Sequence, residues 1–204
     1  MRLCYIKDSY IAFLKQYDQK VPDNKNEQRP YIGVILEIKG KTYYAPLSSP
    51  KPKHLKMKNS LDFRKINHGK YGALNLNNMI PVTPDALIPF YFEDIPDKRY
   101  RRLLENQYQC LRADRKQIEK DAAKLRSLLL REHTQSVYEQ QLKARCCDLR
   151  VLELSLIHIS CSPSICRIYH ACFRVAIGLH LVWQTYPHVQ PYIRFLSVRP
   201  EVCP

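Results

Sequence analysis

The stretch Tyr31-Ile32-Gly33-Val34-Ile35-Leu36-Glu37-Ile38 does most to limit what this chain can fold into. Its β-branched, aliphatic and aromatic side chains predict a strand, and Lys39-Gly40 supplies the turn that ends it. Thr42 to Leu47 forms the returning strand, so the pair is expected to be a hairpin. That second strand runs into Tyr43-Tyr44-Ala45-Pro46-Leu47-Ser48-Ser49-Pro50-Lys51, where it breaks into a loop. Pro46 and Pro50 restrict the backbone on either side of two adjacent hydroxyls, and Lys51 follows close behind. Hydroxyls and an ammonium on a stiffened loop can grip a phosphate and steady its charge during chemistry. The alternative for the same residues is a Ser/Pro surface turn that only ends a strand.

Around this hairpin the chain mixes strand and helix signals. Leu3 to Ile6 is a short strand candidate. Asp8 or Ser9 can cap a helix with Tyr10, Phe13, Leu14, Tyr17 and Val21 at three- and four-residue spacing. Pro22 to Pro30 is a polar loop, and Pro50 to Ser60 is a basic one carrying Lys51, Lys53, His54, Lys56 and Lys58 without an acid. Tyr71 to Leu76 and Met79 to Val82 are further strand candidates across the turn-like Asn77-Asn78. Pro96 or Asp97 then starts a helix with Tyr100, Leu103, Leu104, Gln107, Tyr108 and Leu111 along one side. A second helix begins near Asp114 with Ile118, Ala122, Leu125, Leu128 and Leu129 as its stripe. Both stripes are read as core. Val137 to Glu153 is a third helix or a strand. No repeat and no low-complexity segment is present.

Charge narrows the partners. The 204 residues carry 33 Lys plus Arg against 19 acids, a formal charge of +14. Such an excess favours anionic partners, and nucleic acid more than a membrane, because no long apolar span accompanies it. Neither a signal peptide nor a spanning apolar run is found, so a soluble cytoplasmic protein is expected. Cys4, Cys110, Cys146 and Cys147 form no metal-ligand pair at Cys-x-x-Cys spacing and are expected to be buried, reduced thiols.

The chain changes character near residue 153. From Leu154 onward there is no Lys, Asp or Asn and a single acid, Glu201, while Cys, His and Pro become frequent. No helical or alternating period persists there, although Ala171 to Trp183 is largely apolar. Leu154-Ser155-Leu156-Ile157-His158-Ile159-Ser160 resembles one reading frame of the transposase mosaic-end sequence used in DNA library construction. Residues 154–204 are therefore expected to be an unstructured or non-native tail. The functional alternative is a metal module of Cys161, Cys166, His170 and Cys172, whose spacings do not match the usual zinc patterns.

Several segments of the body, taken together, resemble the ToxN/AbiQ family of endoribonuclease toxins from type III toxin–antitoxin and phage abortive-infection systems. They are Cys4-Tyr5-Ile6 with Tyr10, Lys20-Val21-Pro22, Arg29 to Ile38, and Ala45-Pro46-Leu47-Ser48-Ser49-Pro50-Lys51. Gly72 to Val82 and Cys146-Cys147-Asp148 follow in the same order. The resemblance covers about residues 1–153, and members of the family continue a short way past the Cys-Cys-Asp segment, so a C-terminally truncated toxin domain is expected. It implies an α+β fold, a strongly bent antiparallel sheet packed by helices, similar to the MazF/Kid toxins. It also implies metal-independent, cofactor-free cleavage of single-stranded RNA, in which a ribose 2′-hydroxyl attacks its own phosphate to leave a 2′,3′-cyclic phosphate. The implied partner is an RNA antitoxin of pseudoknot repeats, cut from a precursor by the toxin and then bound in a closed protein–RNA assembly.

By position, the resemblance puts Ser49 at the key active-site serine, Ser48 at the neighbouring hydroxyl and Lys51 at the lysine after them. Tyr10 matches a tyrosine of the first helix, and Arg29 falls at a basic position before the long strand. An aromatic often found after the lysine is replaced here by Pro52-Lys53-His54. His54 is either a stacking or proton-transferring substitute for it or a solvated loop histidine. Chemically, Lys51 and Arg29 can offset phosphorane charge while Ser48 and Ser49 donate hydrogen bonds, and Tyr10 either orients the phosphate or is a core aromatic. Ser49 is a phosphate ligand rather than a covalent nucleophile, because no Asp/His relay lies nearby. The general acid and base stay open. Lys53, His54, Lys56 and Lys58 form the expected RNA-binding flank. The rival functions are a non-catalytic basic RNA-binding protein and an inactive truncated product.

Overall fold

A computed structural model describes residues 1–38, 40–133 and 136–160. The unit Met1–Ile157 is the body of the protein. In chain order it holds β1 (Arg2–Ile6), α1 (Asp8–Lys15), β2 (Tyr31–Ile38), β3 (Lys41–Ser48) and α2 (Pro52–Lys56). Then come β4 (Arg64–Lys65), β5 (Ala73–Leu74), β6 (Ile80–Val82), β7 (Leu87–Pro89) and four helices, α3 (Lys98–Ala113), α4 (Arg115–Leu129), α5 (Val137–Arg145) and α6 (Leu149–Ser160).

The class is α+β, and every strand pair described is antiparallel. The strands lie in the order β4-β5-β3-β2-β1-β7, with β6 also on β3. The β2–β3 hairpin expected from sequence is the spine. Its register slips between Ile32 and Leu36, where Gly33 leaves room for the Tyr44 ring; a Cβ there would stand 2.1 Å from the ring's Cε1. On its other edge β3 changes partner. Thr42 to Tyr44 pair with β6, and Leu47 and Ser48 pair with β5. The last residues of β3 are thereby held in a separate piece of ladder, which delivers Ser48 and Ser49 to the end of the sheet.

Helices cover the sheet with the predicted stripes. Ile118, Ala122, Leu125, Leu128 and Leu129 of α4 are all buried and join Tyr31, Tyr43, Leu74 and Ile80 in one core. Asp97 caps α3 by accepting from the Arg99 and Tyr100 amides. The first helix is shorter than its apolar repeat, ending at Lys15, and Val21 reaches the core from a turn instead. Asp8 does not cap it. Its carboxylate accepts from Glu27 N and Asn24 Nδ2, and its own amide donates to Glu27 Oε1. The single predicted element from Val137 to Glu153 is two helices. Cys146-Cys147-Asp148 breaks them, because the Cys147 amide donates to the Asn77 carbonyl at 2.9 Å and the Asp148 amide to Asp18 Oδ2 at 2.7 Å.

Helix α6 runs across the compositional seam at residue 153. Leu149, Leu152 and Leu156, at three- and four-residue spacing, are all buried, so the apolar stripe of α6 carries the helix through Leu154–Ser160. Those residues are helical rather than unstructured. The Cys161, Cys166, His170 and Cys172 group lies outside the described residues. Cys4, Cys146 and Cys147 are buried free thiols, and Cys110 is partly exposed. Burial pushes Cys4 and Cys146 up to about 12 and raises Cys147 as well, so these thiols stay protonated at neutral pH. Among the described residues, no helix is long and apolar enough to cross a membrane.

Candidate active site

Ser48 ends β3 and Lys51 precedes α2, so the Ser-Ser-Pro-Lys motif is the bend between a strand and a short helix. Lys51 sits between Pro50 and Pro52 in extended backbone, φ −138° and ψ 147°, the region a residue before proline prefers. Its carbonyl accepts from the His54 amide at 2.9 Å. Gly72 lets the bend lie close to its neighbour. It has φ +91°, and a Cβ there would fall 2.0 Å from the Ser48 carbonyl oxygen. Asn75 Nδ2 donates to Ser48 Oγ at 2.5 Å, and Gln107 Nε2 of α3 donates to the Ser48 carbonyl at 3.2 Å.

The motif faces a pocket of about 150 Å³ lined by Ser48, Ser49 and Lys51 with Lys25, Gln28 and Arg29. Tyr100, Leu104 and Gln107 of α3 close it. Its described lining holds three cations, two serine hydroxyls and a tyrosine, and no Asp or Glu. Such a pocket attracts an anion and repels a metal cation. A wider hollow of about 530 Å³ beside β1 and β7 is lined mainly by apolar and aromatic residues, with Arg2 its one charge among those described.

Arg29 reaches the pocket through a braced loop. Its amide donates to the Asn24 carbonyl at 3.1 Å and its Nε to the Asp23 carbonyl at 2.7 Å. Lys25, Asn26 and Glu27 all have positive φ, 55°, 54° and 60°, a conformation that costs a non-glycine residue about 1–2 kcal/mol. The reciprocal Asp8–Glu27 hydrogen bonds and the buried Asn24, whose Nδ2 donates to the Ile6 carbonyl at 2.5 Å, hold it in place.

The structure thus brings Ser48, Ser49, Lys51 and Arg29 together and leaves other expected residues apart. Tyr10 does not line the pocket. It is buried, and its hydroxyl donates to the Pro81 carbonyl at 2.9 Å, with burial pushing its pKa well above the usual phenol value. His54 is neither solvated nor available to stack on RNA. It is 2% exposed, packs against the Phe63 ring at 5.8 Å, and is held below its ordinary value by burial and then by Lys53 and Lys51. Burial follows from the short helix α2, which turns this side chain inward while Lys53, Lys56 and Lys58 remain exposed. The contribution of α3 is absent from the sequence expectation. Tyr100, Leu104 and Gln107 lie on one helical face that reads as core, and only the glutamine amid that apolar stripe hints otherwise.

The model of the family "Toxin ToxN, type III toxin-antitoxin system" matches residues 2–156. The chain belongs to the ToxN toxin family. Among its relatives, endoribonuclease ToxN of Pectobacterium atrosepticum is 34% identical over 140 residues, 64% of this chain and 82% of that one. Endoribonuclease ToxN of Bacillus thuringiensis subsp. kurstaki is 32% identical over 152 residues, 72% of this chain and 78% of that one. A structure solved in work on selective toxin inhibition by a non-coding RNA pseudoknot superposes with a TM-score of 0.65 at 30% identity. It covers 83% of this chain and 99% of its own. The lactococcal anti-phage endoribonuclease AbiQ gives a TM-score of 0.65 at 25% identity, covering 78% and 97%.

Proposed function

We propose that this ToxN family member is a sequence-selective, metal-independent endoribonuclease toxin that cleaves single-stranded RNA in the cytoplasm and acts in phage defence. The observation that carries the reading is the pocket in which Lys25, Arg29 and Lys51 meet Ser48 and Ser49 with no acid in the described lining. A phosphodiester seated there has its negative oxygens toward fixed cations and hydroxyl donors, the arrangement that favours a phosphorane. The ribose 2′-oxygen forms a bond to phosphorus as the bond to the 5′-oxygen breaks. The 2′-proton is taken up, the 5′-oxygen is protonated, and a 2′,3′-cyclic phosphate remains.

In this account Ser49 and Ser48 are phosphate ligands, and Lys51 and Arg29 offset the charge that develops. Tyr10, its hydroxyl occupied by Pro81, braces α1 against β6 rather than touching phosphate. His54, buried against Phe63, is not the proton carrier. Exposed Lys53, Lys56 and Lys58 extend the cationic surface along which the flanking strand runs. The proposed regulator is a cognate RNA of pseudoknot repeats, bound in a closed assembly that covers the pocket. The toxin domain proposed is residues 1–153 completed by the rest of helix α6, and its sheet is proposed to share the bend of the MazF/Kid toxins. The slipped β2–β3 register and the partner change of β3 support such a bend.

The test incubates the purified full chain with single-stranded RNA in EDTA and maps the ends. Cleavage leaving 2′,3′-cyclic phosphates supports the reading. Binding without cleavage favours a non-catalytic RNA-binding protein.

A further inference from the structure

Gln107 has an acceptor with no partner. The side chain is 1% exposed, lines the pocket from α3, and has its Oε1 unpaired among the described residues. Its other end is committed: Nε2 donates to the Ser48 carbonyl at 3.2 Å and to the Tyr71 carbonyl at 2.5 Å. Those two carbonyls fix the amide's orientation, since a flipped group would set its oxygen against both of them. The free acceptor therefore belongs to a rigid group tied to the Ser48 backbone. Burying an acceptor without a partner is costly, and a ligand that supplies a donor recovers that cost.

Phosphate oxygens cannot supply it, because every one of them is itself an acceptor. The cations and serine hydroxyls take the phosphate, and Gln107 is left for a part of the nucleotide that carries N–H or O–H. We propose that Gln107 is a specificity-determining residue whose Oε1 accepts a hydrogen bond from a donor on the nucleotide held in this pocket. Two sources share that chemistry, a nucleobase amino or imino group and a ribose hydroxyl. The proposal rests on the RNA-cleaving role of this pocket but is readable from binding alone. A site built around such an acceptor discriminates strongly against an analogue lacking the donor.

The experiment measures binding and cleavage of an RNA oligomer that the full-length protein recognises, with single positions changed to 2′-deoxy or to N-methylated bases. Wild type is expected to lose about tenfold or more in affinity when one donor at one position is removed. An effect at a methylated base identifies a nucleobase donor, and an effect at a deoxy position identifies the ribose. Gln107→Met, which keeps length but has no acceptor, is expected to abolish that discrimination. If Gln107 only props the Ser48 loop, Gln107→Met weakens all substrates alike and the discrimination survives. That result overturns the proposal, as does a wild type insensitive to every single-donor deletion. A wild type that binds with this discrimination but never cuts overturns the nuclease reading and leaves Gln107 in place.

Discussion

Asn75 Nδ2 stands 2.5 Å from Ser48 Oγ, and the same nitrogen is 3.5 Å from the Pro46 carbonyl. A donor on that side makes the Ser48 oxygen the acceptor, so the serine's own proton is free to point elsewhere. Ser48 also lines the pocket. Asn75→Asp reverses the polarity: the carboxylate accepts the serine proton and adds negative charge beside a phosphate site. Cleavage is expected to fall by about 100-fold or more, the scale on which one lost transition-state donor acts. Asn75→Ala, which leaves the proton free, should cost less. Single-turnover cleavage rates for the two variants check the order, and a reversed order would remove Asn75 from the site.

What can be read from the residues divides along physical lines. The hairpin, α3 and α4 are legible because their apolar periods are long and their turns and caps sit close by in sequence. The Ser48–Lys51 bend is legible because two prolines confine it. The short strands Arg64–Lys65 and Leu87–Pro89 carry no pattern of their own and exist only through pairing with β5 and β1. The burial of His54 depends on a single helical turn, α2, that a basic loop conceals. Gln107 reads as part of a core stripe because the wall it meets, Ser48 and Tyr71, comes from far away in the chain.

The C-terminal boundary can be tested through one buried ion pair. Arg126 grips Glu153 twice, Nη2 to Oε2 at 2.8 Å and Nε to Oε1 at 2.9 Å, and Tyr43 donates to the same carboxylate at 2.7 Å. Arg126→Ala leaves that carboxylate buried with less compensation and is expected to cost about 3–5 kcal/mol. Ending the chain at Glu153 also removes buried Leu156, worth about 1.5–3 kcal/mol. A chain ending at Ser160 keeps all of these contacts. Thermal unfolding should therefore rank full chain and the Ser160 form together, well above the Glu153 form. Collapse of the Ser160 form would make the remaining residues part of the fold.

Asp62 gives the acid dependence. Burial alone would raise its carboxyl, but Arg145 at 2.5 and 2.9 Å and the Ser60 hydroxyl at 2.8 Å outweigh it and hold it below the usual 3.8. A depressed folded value means stability that is present above the unfolded value and lost as pH falls through the folded one. Denaturant unfolding of the wild type should show this loss below about pH 4, and Asp62→Asn should be less stable at neutral pH with a flatter acid limb. Equal slopes for the two proteins would contradict the assignment.

The Ser48–Lys51 bend is proposed to perform phosphodiester cleavage and not merely to hold RNA. Ser49→Ala and Lys51→Ala, each compared with wild type for cleavage and for RNA affinity, test it most directly. Cleavage is expected to be at least about 100-fold slower in each, with affinity reduced less than about tenfold. Undiminished cleavage in both folded variants would contradict it.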